Sequence, residues 1–240
     1  MAIPTPKVEF GFDLSNSPGA PFFRLDDAVQ GRLDNTEYRL AGTLFLNVTD
    51  RVRDISVERG RTSLFTRFPA GTLSLSLNNH DRAFDPLYTA SPYNGNIVPE
   101  REVRISSNGT VIFLGYIDDW NLSYLNDGDS TVEVVATDAI SKFNNQYLPA
   151  FTPPEESVAD RLNRVLDLDS VAWPSGLRAI DSDSQLMSST SVEQGKSALE
   201  YMQNIALSEP GQFFISRDGM ATFTNRRTAP TSASLVTFGA

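Results

Sequence analysis

Cysteine is absent from the 240 residues. Its absence excludes disulfides and thiolate metal sites together, and a chain that needs no thiol chemistry is expected to mature in a cytoplasm. Histidine occurs once, as His80, so any chemistry built on an imidazole has a single candidate. No apolar run approaches the roughly 20 residues that span a bilayer. The start, MAIPTPKVEF, lacks the basic region and apolar core of a cleaved signal peptide. Basic residues are few and dispersed: 20 Lys and Arg stand against 30 Asp and Glu, a net charge of −10. Gripping nucleic-acid phosphates takes a clustered basic face. This chain is expected to repel DNA, which still suits it to lining a passage that DNA moves through. What is present, 40% hydrophobic and 21% charged residues, supports one large β domain or two ordinary domains with real cores.

The first part of the chain reads as strands. Val8, Phe10, Phe12 and Leu14 alternate with Lys7, Glu9, Gly11 and Asp13, giving one apolar and one polar face. Ile55 and Val57 alternate with polar neighbours, as do Leu73, Leu75 and Leu77 with Ser74 and Ser76. Val103 and Ile105 precede Asn108-Gly109, a strong two-residue hairpin signal. Trp120, Leu122 and Tyr124 then share a side, and LNDGDS turns the chain into Val132 and Val134. Half-buried strands joined by tight turns predict an antiparallel β-barrel or sandwich over residues 1–147.

The pattern changes after Pro149. Thr152 is the expected N-cap of a helix, with Pro153 in its first position and Glu155 and Glu156 at its positive end. Val158, Leu162, Val165 and Leu166 follow at helical spacing. A second helix carries Ala198, Leu199, Met202, Ile205 and Ala206 and stops at Pro210-Gly211. FFISRDGMATF reads as a hairpin turning at Asp218-Gly219. Residues 148–228 are thus expected to form a small α+β unit with two helices and a hairpin, and 229–240 to begin a further β element. The fold class is mainly β with a smaller α+β part.

Motifs that carry chemistry fall short. His80 has no G-x-S-x-G elbow beside it; GKSAL lacks the second glycine, and a turn histidine is the simpler reading. TSVEQGKS, residues 190–197, has Thr190 where a phosphate loop needs its first glycine, so Ser197 is expected to cap a helix instead. Asp118 and Asp119 are neighbours in a strand and so are expected on opposite faces. NDGDS is too short for a calcium loop, and Asp181 with Asp183 gives only a weak metal pair. No catalytic residue, metal or cofactor is expected. The stretch NNHDRAFDPLYTASPYNGNIVPEREVRI, residues 78–105, differs in kind. Pro86, Pro92 and Pro99 each fix a φ angle and restrict the residue before them. Phe84, Tyr88 and Tyr93 add large faces, and Asn94-Gly95 a tight turn. A long connection this stiff is expected to be an interface, with Phe84, Asp85, Pro86, Tyr88, Pro92, Tyr93, Asn94 and Gly95 as its candidate residues.

The order RGR (59–61), RFPAGTLSLSLNN (67–79), DRAFDP (81–86), SPYNG (91–95), IVPEREVRI (97–105) and F-x-G-Y-I-D-x-W (113–120) resembles minor tail proteins of long-tailed, siphovirus-like bacteriophages. GKSALEYMQNIALSEPGQFFISRDGMATFTNR (195–226) resembles the second unit of those proteins. The resemblance covers residues of about 30 to 228. It implies a virion protein of the tail tip, assembled in the host bacterial cytoplasm: a β-barrel or split-barrel baseplate hub, without catalysis, arranged as a trimeric ring. The implied partners are copies of itself, a distal tail or tail tube protein, a spike or fibre protein and possible contact with the tape measure protein. DNA would pass only in transit, and no membrane span is implied. Asp118, Asp127, Asp129 and Glu133 are the candidate channel-facing acids. The alternative is a receptor- or glycan-binding tail module that stacks sugars on Tyr88, Tyr93 and Trp120; a cell-wall hydrolase ranks third.

Overall fold

A computed structural model describes residues 5–13, 28–32, 44–61, 66–125, 129–182 and 185–226. Leu14, Asp127, Asp183 and the expected element at 229–240 lie outside the described residues. The chain divides into two compact units, Met1–Val57 with Thr72–Thr137, and Glu58–Gly71 with Asp138–Ala240.

The first unit is built on one seven-stranded sheet. Its strands are β1 (Pro6–Phe12), β2 (Leu44–Asn47), β3 (Val52–Glu58), β4 (Thr72–Asn78), β5 (Glu102–Ser107), β6 (Thr110–Ser123) and β7 (Thr131–Thr137). They lie in the order β2-β1-β5-β6-β7-β4-β3. The β1–β2, β1–β5, β5–β6, β6–β7 and β4–β7 ladders are all antiparallel. Among the described residues the expected barrel is thus not closed: the antiparallel sheet runs from β2 to β3 without a ladder joining them.

Alternation explains most of this sheet. Leu73, Leu75 and Leu77 on β4 face the core, as do Val132, Val134 and Ala136 on β7. The β5–β6 hairpin turns on Asn108 (φ 49°) and Gly109 (φ 79°), the pair of left-handed residues that a two-residue primed turn requires. β1 breaks the simple pattern. Its last five residues are all buried, including Glu9, so both faces of this strand are covered. Lys7 (2.6 Å) and Arg104 (2.9 Å) both pair with the Glu9 carboxylate. Burial raises the Glu9 pKa, but the hydrogen bonds from Lys7 and Arg104 outweigh it and hold the carboxyl below its ordinary value.

Among the described residues the second unit holds three α-helices, α1 (Ile140–Asn144), α2 (Val158–Asp167) and α3 (Ala198–Ser208). Its strands are β8 (Glu156–Ser157), β9 (Arg178–Ile180), β10 (Leu186–Met187), β11 (Gln212–Ile215) and β12 (Ala221–Thr224). β10 pairs with β8; β11 pairs antiparallel with β12, which pairs parallel with β9. The β11–β12 turn passes through Gly219 at φ 86°. The cap of α2 is Ser157 rather than Thr152: Ser157 Oγ accepts from the Asp160 N–H at 3.0 Å. The reason lies upstream, where Glu156 is extended in β8 and Thr152 is tied to Ser191 Oγ at 2.9 Å. Val158, Leu162, Val165 and Leu166 form the buried face of α2. One buried position on α2 is charged. Arg161, 1% exposed, donates to Glu156 Oε1 at 2.6 Å and to the carbonyls of Pro154 and Ser188. That network satisfies a cation that would otherwise be costly to bury.

Candidate interface loop and acidic face

The connection from β4 to β5 is a run of turns. The N–H groups of Arg82, Asp85, Tyr88, Ser91 and Asn94 donate in succession to the carbonyls of Asn79, Arg82, Asp85, Tyr88 and Ser91. Each bond spans three residues, and each acceptor residue but the first is the previous donor. Two prolines sit where such turns favour them: Pro86 is the second residue of the turn 85–88, and Pro92 of 91–94. Side chains lock the run further. Asn79 Oδ1 accepts from the Phe84 N–H, Asp85 Oδ1 from Leu87 and Ser91 Oγ from Tyr93, while Ser91 Oγ donates to the Ala83 carbonyl. Arg82, at φ 58°, pairs with Asp85 at 2.6 Å and lies over the Tyr88 ring. The Arg82 guanidinium, then the Leu87 N–H, hold the Asp85 carboxyl below its ordinary range.

The candidate residues divide between two sides of this loop. Phe84 is fully buried; it stacks on Tyr93 at 5.3 Å and meets Phe10 and Trp120 at 6.1 and 6.0 Å. Trp120, only 8% exposed, donates its indole N–H to the Val98 carbonyl at 3.0 Å. The loop is therefore bolted to the sheet through an aromatic cluster, in which the fully buried Phe84 contributes roughly 1.5–3 kcal/mol by burial. Asp85 is buried and Tyr88 and Tyr93 are half-buried, whereas Pro86, Pro92, Asn94 and Gly95 are exposed. Leu87, at 85% exposure, is the most exposed large apolar side chain among the described residues. Sequence reasoning missed the parts played by Asn79 and Ser91; the signal was there in their turn-forming side chains, but their partners are five and eight residues away.

The acids are placed less simply. Asp118 and Asp119 are both exposed, because the β6–β7 register shifts between Ile117 and Asp119. The extra residue of a bulge breaks strict alternation, so the expectation of opposite faces fails. Partial desolvation, with the Glu100 charge adding to it, raises the pKa of the otherwise exposed Asp118 against a hydrogen bond from Thr137 Oγ1 at 3.2 Å. Glu133 is exposed on β7, opposite Asn121 and Ser76. Asp129 is neutralised by an ion pair with Arg53. Asp127 lies outside the described residues.

The residues weighed for catalysis are occupied otherwise. His80 is exposed, and its backbone N–H donates to Asn78 Oδ1 at 3.0 Å. Ser197 caps α3 by accepting from the Glu200 N–H. Asp181 Oδ2 accepts from the Asn225 N–H at 3.0 Å. Among the described residues no three His, Asp or Glu side chains are grouped as a metal would need, and no helix is long and apolar enough to cross a membrane.

No protein-family model matches the chain, and no curated protein matches it. Solved structures do share its fold. The 43 kDa tail protein of prophage MuSo2 from Shewanella oneidensis is 15% identical, with a TM-score of 0.55 over 92% of this chain and 56% of that one. The tail protein from Neisseria meningitidis MC58 is 14% identical, with a TM-score of 0.50 over 70% of this chain and 49% of that one. The chain thus spans about half the length of either structure.

Proposed function

We propose that the chain is a structural component of a bacteriophage tail, serving at the tail tip as a baseplate hub of the siphovirus-like kind. The observation that carries this reading is the fold shared with a prophage tail protein over 92% of the chain. The motif run over residues 59–120 supports the same reading from sequence. The first unit would carry the hub domain expected over 1–147, and the second the smaller unit expected over 148–228. The hub would form a threefold ring, join the tail tube or a distal tail protein to a spike or fibre, and let DNA pass without holding it. A net charge of −10 favours that last property, since phosphates bind basic walls by counterion release and are repelled by acidic ones. Asp118 and Glu133 would supply exposed acid to such a wall; Asp129, paired with Arg53, would supply less.

The exposed edge of the turn run, Pro86, Leu87, Pro92, Asn94 and Gly95, would meet neighbouring subunits. Its successive hydrogen-bonded turns would lower the entropy cost of association. The receptor- or glycan-binding reading has less support, because Trp120 faces the core and Tyr93 stacks on Phe84. Electron microscopy of assembled tails with a labelled copy of this chain tests the proposal. Density at the tip, on the tail axis and with threefold symmetry, is the expected result. A peripheral position, or a channel lined by lysine and arginine, would overturn it.

A further inference from the structure

Four arginines gather in the second unit of this acidic chain. Arg59, Arg61 and Arg67 come from the segment Glu58–Gly71, and Arg217 from the β11–β12 turn. A cavity of about 390 Å³ is lined by Arg59, Phe68, Asp138, Phe214 and Arg217. Arg61 and Arg67 line a smaller recess that shares Phe68. Phe68 and Phe214 stack at 4.9 Å, and the Arg61 guanidinium lies over the Phe68 ring at 5.2 Å. The pocket therefore combines apolar ring surface with guanidinium donors.

Its one lining carboxylate is already held by two N–H groups of the cavity wall. Asp138 Oδ2 accepts from the Gly71 N–H and Oδ1 from the Ile140 N–H, at 2.9 and 3.0 Å. Arg59 donates to the Ile215 carbonyl at 2.6 Å. Burial lowers the Arg59 pKa in spite of the Asp138 and Asp218 charges, and the Arg217 charge adds to the lowering. A further anion in the cavity would offset that desolvation.

We propose that this pocket binds an acidic, aromatic-bearing segment of a partner protein, with a carboxylate between Arg59 and Arg217 and a ring against Phe68 and Phe214. A carboxylate matches the planar fork of a guanidinium, and a ring matches the apolar surface. Nucleic acid is the weaker match. Its charge extends well beyond one cavity, so a polyanion also meets the repulsion of a chain with net charge −10. A short segment feels mainly the charges within a Debye length, roughly 8 Å at physiological salt. The inference is independent of the tail-tip position.

The test uses the full chain and a fluorescein-labelled peptide of alternating Glu and Phe, followed by fluorescence anisotropy. Binding should saturate and weaken with added salt. Arg217→Ala, at an exposed side chain, should weaken it about tenfold, the effect of losing one hydrogen bond to a charged group, whereas Arg67→Ala, whose side chain lines the neighbouring recess and donates to Asn204 Oδ1, should leave it unchanged. Circular dichroism of each variant should be unchanged. A matched Lys–Phe peptide should not bind. Absence of saturable binding, or wild-type affinity in Arg217→Ala, would overturn the proposal. Tighter binding of a single-stranded oligonucleotide with the same arginine dependence would overturn it too, in favour of nucleic acid.

Discussion

Gly71 and Asp138 hold each other by two hydrogen bonds. The Gly71 N–H donates to Asp138 Oδ2, and the Asp138 N–H donates to the Gly71 carbonyl, each at 2.9 Å. Residues 67 apart in sequence are thereby joined within the second unit, just where the chain leaves and re-enters it. Both residues are buried, so neither bond has water as a ready substitute.

Gly71→Ala should therefore be costly. A β-carbon there would stand 2.8 Å from Asp138 Oδ2 and 3.1 Å from Arg59 Cγ. The carboxylate has little room to yield, being fixed by two backbone N–H groups. We expect a loss of about 1–3 kcal/mol in urea unfolding, the usual cost of overpacking. A change within about 0.5 kcal/mol, typical of neutral surface sites, would show that the clasp relaxes.

Asp138 and Glu156 should respond to acid in opposite directions. Burial raises the Asp138 pKa above 3.8, against the Gly71 and Ile140 hydrogen bonds and the Arg59 charge. Ionised Asp138 thus costs stability above its folded pKa, and the cost lifts as pH falls through that pKa toward 3.8. Glu156 is held below 4.5, first by its hydrogen bond from Arg164 and then, against burial, by Arg161. Its contribution is present above 4.5 and is lost as pH falls through its folded pKa. Unfolding at a series of pH values should show wild type gaining on Asp138→Asn as the solution is acidified, and losing its advantage over Glu156→Gln. Parallel profiles for the two pairs would contradict both assignments.

How legible these features were depended on how local their causes are. Asn108-Gly109 declares its hairpin because both residues favour positive φ, a property of the dipeptide itself. The turns within residues 78–105 were equally readable, since Pro86 and Pro92 sit in positions that such turns favour. The bulge at Asp118 was not readable: it is a register shift against β7, and nothing in β6 alone announces it. Ser157 displaced Thr152 as a cap because β10 holds Glu156 in an extended strand, a pairing about thirty residues distant. The arginine pocket was invisible for the same reason. RGR was noticed only as part of a motif, and its neighbours Phe214 and Arg217 are more than 150 residues away.

Phe84→Ala should detach the loop from the sheet. The ring is fully buried against Phe10, Tyr93 and Trp120. Its removal leaves a cavity, with an expected cost of about 3–5 kcal/mol. Tryptophan fluorescence should change as Trp120 loses its neighbour, and protease should cut between residues 79 and 101 sooner. His80→Ala, at an exposed side chain in the same connection, should stay within about 0.5 kcal/mol of wild type. Equal costs for the two variants would mean that the loop is not anchored by this ring.

Pro86→Gly and Pro92→Gly probe the turns themselves. The Asp85 carbonyl accepts from Tyr88 at 3.1 Å and the Ser91 carbonyl from Asn94 at 3.2 Å, each across a turn with proline second. Both prolines are exposed, so their replacement leaves the packing almost untouched. The expected cost, about 0.5–1 kcal/mol each, comes from the freedom that glycine restores to the unfolded chain. Gly95→Ala should also destabilise, for the opposite reason. A β-carbon at Gly95 meets no atom within 4 Å, but the backbone sits at φ 78°, where alanine is strained in the folded state. All three variants should speed proteolysis within residues 81–102, and adding back packing volume elsewhere in the loop should not restore resistance. Unchanged cleavage in both proline variants would show that the ladder of hydrogen bonds alone sets the stiffness of this loop, with its prolines incidental.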